Sequence, residues 1–211
     1  GLDRLNDSVD SLNALTYQRM TGGSLERVLA GLEAARSAGF PAPKLNSVVL
    51  KGQNDKEIAD NVAAAFALRC EVRFLEAMPI GPAAETNRKL FISAAQIRRK
   101  LSETYALQPL TDQAGSTSVS YHARNGSSEG VVGFIAPISE PFCGGCRRIR
   151  LTSDGRLFPC LLDLRHVDLR PAWHHGALAP DLADSLIRRA VSDKSLYGPQ
   201  HQSTNMVSLG G

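Results

Sequence analysis

Residues 44–77 read KLNSVVLKGQNDKEIADNVAAAFALRCEVRFLEA, and their pattern decides the fold class. Lys44 to Leu50 predicts a strand, with Lys44 and Asn46 on one face and Leu45 on the other. Asn54 begins a helix with Glu57 in capping-box register, and Ile58, Val62, Ala65 and Phe66 line its buried side. Glu71 to Ala77 is the next strand. A strand, a helix and a strand in this order require parallel pairing and a right-handed crossover. In such sheets and barrels, ligands bind at the carboxyl ends of the strands.

The same rhythm extends upstream. Leu2 to Asp10 reads as a short strand, Ser11 to Thr21 as a short helix, and Ser24 caps a second helix that Gly39 stops. Asp7 is a costly charge for a buried strand. Downstream, Met78 to Arg88 is a Pro/Gly loop and a plausible boundary. Ser93 and Gln96 form a capping box for a helix running to about Tyr105. Ser118 to Ala123 and Gly130 to Ala136 form a hairpin over Asn125-Gly126. Leu161 to Gly176 is irregular, and Asp181 to Ser192 is a last helix. The expected class is α/β, divided near residue 80 into a first part (1–80) and a second part (81–211).

Three of the four cysteines fall within Phe142–Cys160, FCGGCRRIRLTSDGRLFPC. Cys143 and Cys146 form a tight knuckle. Cys160 returns on the far arm of a hairpin turned at Asp154-Gly155. Arg148 and Arg150, two apart on an expected strand, point to one side as a paired anion clamp. Three thiolates suit a 4Fe-4S cluster with one iron left open, since four cysteines normally hold such a cluster. They also suit zinc, with His122, His166 or His174 as a distant fourth donor, and unrelated thiols are a third reading. Cys70, at a helix end, reads as a buried thiol.

The chain has 211 residues, 43% hydrophobic content and a net charge of +3. That permits an anionic small-molecule ligand and falls short of a nucleic-acid footprint. No segment approaches a membrane span, and the opening residues lack an apolar signal core. Cysteine usage fits a reducing compartment.

Taken together, SVDSL at Ser8–Leu12, the run from Lys44, VRFLEAMPIG from Val72, the cysteine hairpin and the terminal Gly210-Gly211 resemble the molybdenum cofactor biosynthesis protein A family. These are the radical-SAM GTP 3',8-cyclases. The resemblance implies the C-terminal part of an incomplete (βα)6 radical-SAM barrel, followed by a smaller α+β region carrying an iron-sulfur hairpin. It implies conversion of GTP to (8S)-3',8-cyclo-7,8-dihydroguanosine 5'-triphosphate with S-adenosylmethionine, in the first step of molybdenum cofactor biosynthesis. It places Cys143, Cys146 and Cys160 on a 4Fe-4S cluster. Lys44, Arg148, Ile149 and Arg150 fall on GTP, and Ser8 and Met78 on S-adenosylmethionine. Arg73 takes a catalytic role in the cavity, and Gly210 and Gly211 form a tail that threads into the site. It further implies a homodimer, a downstream cyclic pyranopterin monophosphate synthase, and a cytoplasmic location, mitochondrial in a eukaryote.

One departure stands out: the chain has no CxxxCxxC, the motif that holds the family's first cluster. The opening residues match only from about the family's fifth strand. The chain is therefore expected to be the GTP- and second-cluster-binding portion, inactive by itself. A zinc-stabilised non-catalytic binding module and an inert fragment are the competing readings.

Overall fold

The computed structural model describes residues 1–111, 115–174 and 176–194. These fall into two compact units. The first comprises Gly1–Ala77 with Leu90–Glu140, and the second comprises Met78–Lys89 with the residues from Pro141 onward.

The first unit is a mixed α/β layer. Strand β1 (Asn6–Ser8) leads into α1 (Ala14–Thr21) and α2 (Leu25–Ser37), then β2 (Lys44–Val49), α3 (Ile58–Ala67) and β3 (Glu71–Glu76). The stretch 78–89 then belongs to the second unit and carries α4 (Ala84–Lys89). The chain returns with α5 (Ala94–Ser102), β4 (Ala106–Pro109), β5 (Val119–Asn125) and β6 (Ser128–Ile135). Strand order in the sheet is β1-β2-β3-β6-β5-β4. β1, β2, β3 and β6 run parallel, while β5 and β4 pair antiparallel beyond them. The sheet therefore continues past residue 80.

Alternation along the strands produces this layer. Leu45, Val49, Val72, Phe74, Val132 and Phe134 are buried with Val62 and Ala65 of α3 and Ile97 and Leu101 of α5. The rings of Phe74 and Phe134 lie 6.1 Å apart, and Tyr121 meets Phe134 edge-on at 5.6 Å. The intervening positions, including Lys44, Asn46, Glu71 and Arg73, lie on the opposite face.

Several sequence expectations need correction. β1 is confined to Asn6–Ser8, because β2 begins at Lys44 and offers no earlier partner. After Ser8 the backbone is taken up differently. The Asp10 carbonyl accepts bonds from Ser47 and Asn54, and its carboxylate accepts the Val48 N–H. Burial raises the Asp10 carboxyl above its ordinary value, opposed by that Val48 bond.

Asn54 and Glu57 do not form a capping box. Asn54 is buried; its oxygen accepts the Leu50 N–H at 2.8 Å, and its amide donates to the carbonyls of Asp10 and Val48. Glu57 accepts the hydroxyls of Ser11 and Thr16, each at 2.6 Å. Both side chains are drawn into tertiary bonds, so α3 starts uncapped at Ile58. The capping box at Ser93 and Gln96 is present with both of its bonds.

In the second unit, β7 (Arg150–Leu151), β8 (Arg156–Phe158) and β9 (Val167–Asp168) form a small antiparallel sheet. A further hairpin joins β10 (Trp173–His174) to β11 (Ala177–Leu178), and α6 (Pro180–Ser192) follows. The region from Leu161 thus holds ordered strands where irregular chain was expected. Leu157, Val167 and Ala190 form this unit's buried cluster, with Leu169 and Leu186 packed on it. None of the described helices is long and apolar enough to cross a membrane.

Candidate functional site

The cysteine hairpin lies in the second unit. Cys143–Gly145 form one 3-10 turn, closed by the Cys146 N–H donating to the Cys143 carbonyl at 3.2 Å. Neither Gly144 nor Gly145 has an atom within 4 Å of the point where a Cβ would stand, so the turn is uncrowded. Cys160 follows β8. Its sulfur accepts the Leu162 N–H at 3.4 Å, and its carbonyl accepts the Asp163 N–H. All four cysteines are free thiols.

Burial pushes the Cys143 thiol above its ordinary value, and the charges of Cys160 and Cys146 push it further. The ammonium of Lys194 acts the other way. Lys194 also donates to the carbonyls of Arg148 and Pro159, tying together the chain before and after the β7–β8 hairpin. This residue has no signal in the sequence. It lies far from the knuckle along the chain, and only the fold brings it to the thiols. Lys194→Met should raise the thiol further, since its cation is the opposing influence. Alkylation of the hairpin thiols at neutral pH should then slow and recover at higher pH, because the thiolate is the nucleophile.

The turn at Gly155 is left-handed, with φ of 84°. Thr152 bonds Asp154 and accepts the Arg156 N–H. Arg156 and Thr152 hold the Asp154 carboxyl well below the usual range. Arg170 does the same for Asp168, which drops to about 2. Arg156 and Arg170 are thus committed to carboxylates. β-pairing begins only at Arg150, so the pleat orients Arg150 but not Arg148, contrary to the expected strand from Arg148. Arg148 and Ile149 are exposed, and Arg150 is half-buried.

Met78 is half-buried in the second unit. Its carbonyl already accepts the Ile80 N–H at 2.9 Å and the Asn87 amide at 2.8 Å. A cofactor contact there must use its N–H or side chain. Gly210 and Gly211 lie outside the described residues.

In the first unit, the register sets Lys44 opposite Glu71 and Asn46 opposite Arg73. The Glu71 carboxylate takes Lys44 Nζ at 3.0 Å and Arg73 Nε at 2.7 Å. Two expected site residues are therefore held by one carboxylate that sequence reading passed over. Two cations and one carboxylate leave a net single positive charge. Ser8 closes β1, is exposed, and pairs with Asn46.

Residues 70–198 match the family model described as Molybdenum Cofactor Synthesis C. The chain belongs to this family. Residues 1–65 match the radical SAM superfamily. The chain is 40% identical to a GTP 3',8-cyclase of Pseudomonas savastanoi pv. phaseolicola, over 92% of its own length and 59% of the relative's. It is 37% identical to a GTP 3',8-cyclase of Geobacter sulfurreducens, over 100% of its own length and 66% of the relative's. GTP 3',8-cyclase 1 of Pseudomonas aeruginosa is 35% identical over the same shares. The chain thus spans about half to two thirds of the length of the relatives it matches. The cysteine hairpin, Arg73 and Met78 fall in the stretch matched by the Molybdenum Cofactor Synthesis C family. Ser8 and Lys44 fall in the radical SAM stretch.

The hairpin's donor chemistry bears on which inorganic group this family member could hold. A tetrahedral zinc with Zn–S of about 2.3 Å needs sulfurs roughly 3.8 Å apart. Among the described residues, no three His, Cys, Asp or Glu side chains converge in an arrangement that could hold a metal ion. The His166 ring, one expected fourth donor, is tilted against Phe158 with centroids 5.1 Å apart. A 4Fe-4S cluster spreads its thiolates over separate irons rather than around one atom. Three thiols on one turn and one hairpin, an N–H donated to the Cys160 sulfur and an uncrowded turn suit a three-thiolate cluster.

Proposed function

We propose that this chain is the portion of a GTP 3',8-cyclase that binds GTP and a 4Fe-4S cluster. The reaction is conversion of GTP to (8S)-3',8-cyclo-7,8-dihydroguanosine 5'-triphosphate by S-adenosylmethionine radical chemistry, in the first step of molybdenum cofactor biosynthesis. The observation that carries this reading is the placement of Cys143 and Cys146 on one tight turn and Cys160 after β8, with Arg148 and Arg150 next to them along the chain, inside the family-matched stretch. On this reading residues 1–80 are the last strands and helices of an incomplete (βα)6 barrel. Residues 81–211 are the cluster and GTP region with its Gly210-Gly211 tail.

When bound, a cluster on three thiolates offers one iron to a substrate atom. The rest is the chain's own work. Arg148, Ile149 and Arg150 line the nucleotide, with the guanidinium groups as charge-assisted donors. Lys44 takes phosphate oxygens, and Arg73, bonded to Glu71 through Nε, offers its terminal N–H groups to the reacting atoms. Ser8 and Met78 position S-adenosylmethionine. Four free cysteines suit a reducing compartment such as the bacterial cytoplasm. A homodimer and a downstream cyclic pyranopterin monophosphate synthase complete the proposal.

Arg148→Ala and Arg150→Ala should each weaken GTP binding by about tenfold to a hundredfold, the worth of a hydrogen bond to a charged group. Isothermal titration checks this, with iron content as the control. GTP affinity untouched in both variants would remove the clamp from the site.

A further inference from the structure

The face of the first unit's sheet that carries Lys44 and Arg73 holds two buried polar atoms, Asn46 Oδ1 and Ser118 Oγ, that have no hydrogen-bond partner among the described residues. Such an atom costs about 1–3 kcal/mol when it goes unpaired, so native chains rarely leave one without a purpose. Both flank Arg73. Register places Ser8, Asn46, Arg73, Gly133 and Ser120 in one row across five strands. Side chains alternate along β5 and its approach, so Ser118 shares the face of Ser120. Ser118 is only 4% exposed.

Gly133 makes this arrangement possible. A Cβ there would stand 2.3 Å from Ser118 Oγ and 3.1 Å from Arg73 Cγ. The bare glycine leaves room for the Arg73 stem and the Ser118 hydroxyl together.

We propose that Asn46 and Ser118 are two further ligand-contacting residues on this face, reading hydroxyl or amino groups of a nucleoside whose phosphates Lys44 holds. The donor inventory points to that class. Phosphate oxygens only accept, as does Asn46 Oδ1, so a bare polyphosphate cannot satisfy it. A sugar hydroxyl or an exocyclic amine can. Ser118 can donate or accept, and suits either kind of group. This inference rests on the nucleotide reading above.

The test titrates the 211-residue chain with GTP and, separately, with inorganic triphosphate. The wild type should prefer GTP. Asn46→Ala and Ser118→Ala should each lower GTP affinity about fivefold to tenfold, the range for a neutral hydrogen bond, and leave triphosphate affinity unchanged. Ser118→Ala should melt no lower than the wild type, because it deletes an unpaired hydroxyl. Gly133→Ala, which crowds Ser118 and Arg73, should weaken GTP. Variants that bind GTP like the wild type would overturn the inference alone, as would triphosphate affinity falling in step with GTP or a lowered melting point for Ser118→Ala. A folded wild type that binds neither ligand would overturn the nucleotide reading itself, and this inference with it.

Discussion

Replacing Cys143 with Ala should abolish iron retention after anaerobic reconstitution, the largest effect expected of any single change in the second unit. With three thiolates available, a 4Fe-4S cluster already has one iron without a protein ligand. Losing a second thiolate leaves two irons unheld. Cys143 opens the 3-10 turn that Cys146 closes. Cys146→Ala and Cys160→Ala should behave alike, whereas Cys70→Ala should retain the cluster, since Cys70 is a buried thiol of the first unit. Iron and acid-labile sulfide per chain provide the readout. Full iron content in Cys143→Ala would show that the hairpin is not the ligand set.

Glu76→Gln should cause the largest loss of stability in the first unit. Glu76 ends β3 and is 3% exposed. Its carboxylate accepts the Ala94 N–H at 2.7 Å, the Ile138 N–H at 3.0 Å and the Ser139 N–H at 2.9 Å. The Ser139 hydroxyl donates to it as well. One side chain therefore pins the first residue of α5 and the turn after β6 to the end of β3. A carboxylate at a helix N-terminus also complements its dipole. Glutamine keeps the shape but turns an NH2 group toward N–H donors and removes the charge. At about 1.5–3 kcal/mol per charge-assisted bond, loss of two gives roughly 3–6 kcal/mol. In a chain of this size that lowers the melting temperature by on the order of 10 °C. An unchanged midpoint in a thermal melt would show that these bonds contribute little net stability.

What could be read from the chain beforehand follows the range of the interactions involved. The alternation along β2 and β3 and the capping box at Ser93 and Gln96 depend on neighbours a few residues apart, and the structure contains all of them. The pairing of Asn54 with Glu57 looked equally local. It failed because both residue types bond just as well to distant groups, here Asp10, Ser11 and Thr16. β4 is not among the sequence expectations; it is four residues at a sheet edge, where a proline such as Pro109 is tolerated. Helix α4 is one short element in a Pro/Gly-rich stretch, with Asn87 bonded back to Met78.

The sites divide in the same way. The cysteines declare themselves by spacing, because a knuckle and a hairpin are local. Glu71 stands two residues before Arg73, but its hold on Lys44 depends on strand register across an intervening helix. Lys194 reaches the thiols only through tertiary structure. Asn46 was legible as a face and not as an orphaned acceptor, since that property depends on every neighbour at once.

The most direct test of the central claim is GTP affinity measured on the same preparation before and after anaerobic reconstitution with iron and sulfide. The account predicts about four irons and four sulfides per chain, and GTP binding that tightens once they are incorporated. Stoichiometric zinc with no stable iron, together with no measurable GTP affinity in either state, would contradict it and leave a zinc-stabilised module in its place.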